Sequence, residues 1–389
     1  MRLDVLVFGG GAAGLWCLDR LRRAGYHAIL LESHALGSGQ TIQAQGIIHG
    51  GGKYALRGVR DFEAVRATSL MPERWRRSIT GELEPHLSAT RILSECCHLW
   101  LPRGSAVARF QSLGIMSLVA KAGLLATHPE RVSKVEWPDV LRDSALAVYA
   151  LAEPVIATGS FLAALAAQHQ SFIFSYQGGS AQFAAAGVQV GDALLQPRAV
   201  VLAAGAGNGD LLTGAGMNAD LMQRRPLGMV LLRGNLPPLF GHCIVGGKTG
   251  LTITTPAPGL WQIGGEIAER LAHEKNPATA RQLALGEIRR WLPGLELKRA
   301  EIAIYYAVRA EARTAAIRRP SGVHAGQVAL GMIVAWPTKL SMAPVLADEV
   351  FELVQLDLKA PGGYDETPSW PAPSVARYPW EDAEWFTVN

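Results

Sequence analysis

Glycines at positions 9, 11 and 14 lie in the run Gly9-Gly10-Gly11-Ala12-Ala13-Gly14, between an apolar stretch (Leu3 to Phe8) and a helix-like stretch ending near Gly25. In that strand–turn–helix setting the spacing suits a diphosphate. Gly9 permits the tight turn, Gly11 lets the backbone approach the phosphates, and Gly14 lets helix and strand pack closely. The helix N-terminus adds unpaired N–H groups and a partial positive charge. A second apolar run, Ala28 to Leu31, ends at Glu32, whose carboxylate can accept both hydroxyl hydrogens of an adenosine ribose. The chain opens with a dinucleotide site.

The elements that position such a site need a large core. At 389 residues, two interlocked domains are expected. With 49% apolar and 18% charged residues the chain is globular, and a net charge of +4 leaves no nucleic-acid footprint. Cys17, Cys96, Cys97 and Cys243 form neither a disulfide framework nor a C-x-x-C metal spacing. No signal peptide and no apolar run of membrane-spanning length is visible, so a cytoplasmic setting is expected, with a peripheral membrane position left open. Glycine-rich loop is expected over 33–53. Helices are expected over 57–79, 105–125, 158–169, 278–291 and 342–356, with strands within 88–101, 148–156, 172–203, 301–309 and 327–330. Residues 199–205 look like a buried parallel strand meeting a ligand at its carboxyl end, and 226–266 suits an antiparallel sheet. Beyond Pro361 the tail shows little periodicity and is expected to be extended over the surface or mobile.

Residues 39–54 (Gly-Gln-Thr-Ile-Gln-Ala-Gln-Gly-Ile-Ile-His-Gly-Gly-Gly-Lys-Tyr) resemble the flavin-contacting loop of FAD-dependent glycerol-3-phosphate and L-2-hydroxyglutarate dehydrogenases. Ala203-Ala204-Gly205-Ala206-Gly207 is similar to a strand end of the same superfamily, and Ile263-Gly264-Gly265-Glu266 to a turn of its substrate domain. Tyr306-Ala307-Val308-Arg309 is similar to its Gly-x-Arg-Pro element, with Ala310-Glu311 in place of the proline. Thr338 to Pro344 resembles the Lys-Leu-Thr-Thr turn that opens its last helix. The resemblance to the D-amino-acid oxidase/glycerol-3-phosphate dehydrogenase superfamily runs in order over residues 3–355.

That resemblance implies an α/β fold: a Rossmann-type FAD-binding domain (1–85, 150–225, 325–358) interleaved with a mainly antiparallel substrate domain (86–149, 226–324), then a tail (359–389). It implies FAD contacts from Gly9, Gly11, Ala12, Ala13, Gly14, Glu32 and Ser33. Further contacts are implied for Gln40, Thr41, Gln45, Gly46, Ile47, Ala204, Gly205, Gly331, Thr338, Lys339 and Leu340. Substrate contacts fall on Lys53, Tyr54, Arg309 and Lys339, whose three cations would clamp an anion. His49 has three readings: a ring packed on the cofactor, a general base, or a covalent flavin anchor. Tyr305 and Tyr306 are read as pocket or core aromatics. His98, His242 and His324 are read as structural, and the Arg74-Trp75-Arg76-Arg77 cluster as a solvated helix face.

The activity implied is FAD-dependent oxidation of a small anionic metabolite, a 2-hydroxy acid or polyol phosphate, by hydride transfer to flavin N5. Oxygen, quinone or an electron-transfer protein would take the electrons. Oxidation of an amino acid or secondary amine, and a flavoprotein subunit without turnover of its own, stand as alternatives.

Overall fold

The computed structural model describes residues 1–51, 66, 68–103, 129–246, 248–314, 320, 322–362 and 368–388. The chain begins with strand β1 (Arg2–Phe8), helix α1 (Ala12–Arg23) and strand β2 (Ala28–Glu32). β1 pairs in parallel with β2 on one side and with Ala193–Leu202 on the other, and Met332–Trp336 lies parallel beyond that. Over residues 5–8, 28–31, 199–202 and 333–336 these strands are apolar on both faces because both faces are covered. α1 and the helices Thr158–Ala167 and Ala343–Asp357 pack on one side, while residues around Phe174, Val188 and Leu212 fill the other. α1 has no acidic residue in its first turn and Arg20, Arg22 and Arg23 in its last. This distribution complements the helix dipole at the carboxyl end and leaves the amino end for an external anion.

Among the described residues the second sheet has nine strands, with central members Met222–Arg233, Leu260–Gly264, Lys248–Ala257 and Gly241–Val245 all antiparallel to their neighbours in that order. Cys97–Pro102 continues it in parallel beside Gly241–Val245, and Glu301–Ala312 flanks Met222–Arg233 over its full length. Helix Pro277–Trp291 covers its core. Asn276 Oδ1 caps that helix by accepting from Ala278 N and Thr279 N at 2.9 and 3.1 Å, with Pro277 at its first position.

Helices expected near 158–169, 278–291 and 342–356 are present within two residues of those limits. The helix expected over 57–79 is described from Met71 to Thr80; its earlier part, and the helix expected over 105–125, lie outside the described residues. The strand Met332–Trp336 and the short helices Asn208–Gly214 and Glu266–Leu271 were not anticipated by the sequence pattern. The tail is not loose where it is described. Leu36 N donates to Ser374 O at 2.8 Å, Ala376 N to Leu36 O at 3.0 Å and Gly159 N to Tyr378 Oη at 2.8 Å. Phe386–Thr387 then joins the second sheet beside Glu301–Ile302. Periodicity misses such a segment because it is held by backbone bonds and single aromatic contacts.

Candidate active site

The glycine turn closes over the end of β1. Gly9 has φ +104°, and a Cβ there would lie 2.5 Å from Ala204 Cα; a Cβ on Gly14 would lie 1.8 Å from Gly9 O. Gly11 differs, since its φ is −80° and a Cβ would meet only Thr41 Oγ1 at 3.1 Å. The same hydroxyl accepts Ala12 N at 3.1 Å. The Glu32 carboxylate is buried at the end of β2 and accepts Gly10 N at 2.5 Å and His34 N at 2.8 Å. Beside it Tyr176 has its phenol pushed up to about 12 by burial and by the Glu32 charge. Buried Asn208 stitches the neighbouring strand ends: its Oδ1 accepts Ala204 N at 2.7 Å, and its Nδ2 donates to Ala335 O at 3.3 Å.

These ends open into one cavity of about 1710 Å³ that reaches from Glu32 and Ser33 to Arg309 and Lys339. Ligand sites usually measure about 300–1,000 Å³, so this one has room for a dinucleotide and a second molecule. Gly9, Gly11, Ala12 and Ala13 line it, as do Gln40, Thr41, Gln45, Gly46 and Ile47. Ala204, Gly205, Thr338, Lys339 and Leu340 line the wall formed by the other strand ends. Gly14 works behind the lining. Gly331 is a correction: it forms the hairpin turn before Met332–Trp336, with φ +69° and its missing Cβ against Arg198 O, at the amino end of that strand. The parallel strands present their carboxyl ends to the cavity, so Gly331 lies at the opposite edge of the sheet.

The loop from 40 to 46 is tied to the second sheet through glutamines. Gln45 Nε2 donates to Thr252 O at 3.0 Å and Gln262 O at 2.8 Å, and Gln262 Nε2 donates to Gln43 O at 2.9 Å. Tyr305 Oη donates to Gln43 O at 3.0 Å, while burial pushes its phenol far above its ordinary value. Tyr306, by contrast, is an exposed member of the cavity lining. Gln40 Oε1 accepts Ala310 N at 3.0 Å. That bond accounts for the missing proline after Arg309, since proline has no N–H to donate.

Arg309, Lys339 and His49 also line the cavity. Lys339 is only 9% exposed and follows Thr338, a non-glycine residue at φ +62° whose Oγ1 donates to Gly322 O at 2.6 Å. Such a conformation costs roughly 1–3 kcal/mol and is held where surroundings over-determine it. Lys53 and Tyr54 lie outside the described residues. Two groups that sequence reasoning did not place in the site stand beside His49. Glu153 Oε2 lies 3.2 Å from His49 Nδ1, and the His242 ring centroid lies 5.5 Å from that of His49. His242 itself is fully buried behind the cavity lining, held by Thr252, which agrees with its reading as a structural histidine. The Arg74–Arg77 cluster is a correction too. Trp75 is fully buried against Trp16 and Phe161, with Nε1 donating to Ser341 O at 3.0 Å. Arg74 pairs with Asp348 at 2.6 Å, and Arg76 donates to Ala152 O at 2.7 Å.

The glycine cradle, the open α1 terminus, a carboxylate at the ribose position and a long cavity fit FAD. Residues 4–348 match the model of a family described as "FAD dependent oxidoreductase" (DAO). The chain is 35% identical to the "Probable FAD-dependent oxidoreductase PA4991" of Pseudomonas aeruginosa, over 98% of both chains. It superposes on that protein's crystal structure with a TM-score of 0.81, 98% of each chain and 32% identity. A shorter similarity, 33% identity over 87 residues, links 22% of this chain to 12% of the mitochondrial glycerol-3-phosphate dehydrogenase of Rattus norvegicus. Glycine oxidase from Geobacillus kaustophilus shares the fold, with a TM-score of 0.68, 16% identity and coverage of 97% of this chain and 99% of its own. Cradle, cavity and similarity along the whole length agree that the chain belongs to the DAO family of FAD-dependent oxidoreductases.

Proposed function

We propose that this oxidoreductase acts on a small anionic metabolite at a carbon bearing a hydroxyl group, a 2-hydroxy acid or a polyol phosphate. Arg309 and Lys339 hold the anion, and His49 takes the hydroxyl proton. Bound FAD supplies the acceptor for the hydride that leaves the same carbon. The observation that carries this reading is that Arg309, Lys339 and His49, from three distant segments, line one cavity. A guanidinium offers paired donors to carboxylate or phosphate, and a buried ammonium adds a charge little screened by water. A neutral imidazole carries a ring nitrogen that can accept a proton. Lys53 and Tyr54 are proposed to complete the anion site.

Anaerobic mixing of the holoenzyme with hydroxy acids, polyol phosphates and amino acids, followed by flavin bleaching, tests the reading. Hydroxy acids or polyol phosphates should bleach the flavin. Arg309→Leu and Lys339→Met should each weaken the apparent substrate affinity about tenfold or more, and His49→Gln should slow bleaching by about 10²–10⁴. The fold shared with glycine oxidase supports an amino-acid substrate as the second reading. An amine binding with its lone pair free needs no base. Bleaching by amino acids alone, undiminished in His49→Gln, would replace the first reading with the second. Reoxidation of the bleached enzyme by air, quinone or an electron-transfer protein identifies the acceptor.

A further inference from the structure

His49 comes to the cavity on a loop laced to residues 153–156. Ile48 N donates to Pro154 O at 2.9 Å and Ile156 N to Gly46 O at 3.0 Å, and Ile47 forms an antiparallel bridge with Val155. This short ladder carries Glu153 against the loop. Its Oε1 accepts Gly50 N at 2.7 Å, and its Oε2 stands 3.2 Å from His49 Nδ1. The Glu153 side chain is 1% exposed and that of His49 14%. On the other side, the buried His242 keeps its Nδ1 on Thr252 Oγ1 at 2.9 Å.

We propose that Glu153 is a positioning residue for His49, and this rests on the proton-acceptor role given to His49 above. A carboxylate only accepts hydrogen bonds, so the His49 nitrogen that faces it carries the hydrogen. The neutral ring then keeps its lone pair on Nε2. During oxidation the substrate C–H bond breaks with its electron pair leaving as hydride. The O–H bond breaks with its proton passing to Nε2, and C=O forms. The imidazolium produced is matched by the Glu153 carboxylate, so a buried carboxylate that is costly to hold alone acquires its counter-charge at the moment of reaction. Among the described residues the other titratable ring beside His49 is that of His242, and the cavity lining carries both cations (Lys248, Arg309, Lys339) and carboxylates (Glu32, Asp210, Glu266, Glu269). The cations oppose a positive His49 and the carboxylates favour it, with Glu153 the one at contact distance.

Glu153→Gln provides a direct test, because the backbone ladder remains and the amide oxygen can still accept Gly50 N. Its NH₂ group then faces His49 Nδ1 as a donor, which moves the ring hydrogen to Nε2. NMR of the holoenzyme labelled with ¹⁵N-histidine, with His49 assigned through His49→Gln, reads tautomer and titration without any substrate. Wild type should show the Nδ1–H tautomer above its pKa. In Glu153→Gln the Nε2–H tautomer should dominate, with the pKa lower by about one unit or more because the imidazolium loses its counter-charge. Flavin reduction should slow by about 10²–10⁴, with the acid limb of its pH profile moved to lower pH. Oxalate binding, followed by the flavin absorbance, should stay within about twofold, and Glu153→Asp should restore part of the rate. An unchanged His49 tautomer and pKa in Glu153→Gln would overturn the pairing itself. If they change while His49→Gln reduces its flavin at the wild-type rate, the proton-acceptor reading fails instead, and the role of Glu153 in the reaction falls with it.

Discussion

Gly11 and Gly14 are the same residue type for different physical reasons, and alanine separates them. At Gly14 the added methyl would stand 1.8 Å from Gly9 O, so helix and strand must part. Gly14→Ala should lower the stability of the apo-protein by about 1–3 kcal/mol or more in denaturant melts. At Gly11 the methyl meets only one side-chain oxygen on the cavity side. Gly11→Ala should leave apo stability within about 0.5 kcal/mol while weakening FAD, measured by titration of apo-protein. A second pair of neighbours sets acid stability. Burial alone would raise the Glu311 carboxyl, but Arg225 donates to it through Nε and Nη2 at 2.8 and 2.9 Å and holds it below the ordinary carboxylate range. A carboxyl depressed in the folded state contributes stability above its unfolded pKa, and that contribution is lost as pH falls through the folded value. Arg225→Ala should therefore cost roughly 3–5 kcal/mol near neutrality, with the gap to wild type narrowing in melts taken at progressively lower pH.

Elements carry these residues to the cavity, and two of them invite a test. The Glu301–Ala312 strand brings Arg309 in with Ala310 N bonded to Gln40. Ala310→Pro removes that one bond and should cost about 0.5–1.5 kcal/mol, read as a raised substrate KM with FAD affinity retained. The Met71–Thr80 helix props the turn after Lys339 through Trp75. Trp75→Ala should cost about 3–5 kcal/mol in the same melts. The glycine turn and Glu32 were legible in the sequence because backbone sterics and ribose chemistry each demand one residue type at fixed spacing. Arg309 and Lys339 were legible only through the motifs around them. Glu153 and His242 were not, since one precedes a two-residue strand and the other sits mid-strand. Only sheet register brings them to His49. Gly331 misled for the converse reason: a glycine required by a hairpin looks, in sequence, like one required by a ligand.

Across the whole molecule, residues 374–388 act as a strap. They hold Leu36 and Gly159 near the first sheet, then reach the second, where Val388 N donates to Ala300 O at 2.8 Å and Arg233 and Arg281 lie over Trp385 and Phe386. Removing residues 373–389 should lower the thermal midpoint by about 3 °C or more and speed hydrogen exchange in Glu301–Ala312 more than in β1. No helix among the described residues is long and apolar enough to cross a membrane. The parallel strands that meet at the glycine turn come from residues 2–8, 193–202 and 332–336. On the ribosome, a nascent chain thus carries its first nucleotide-binding turn through most of translation before the last of these strands has emerged. The complete cavity, with Trp336 to Leu340 in its wall, is assembled only after that point.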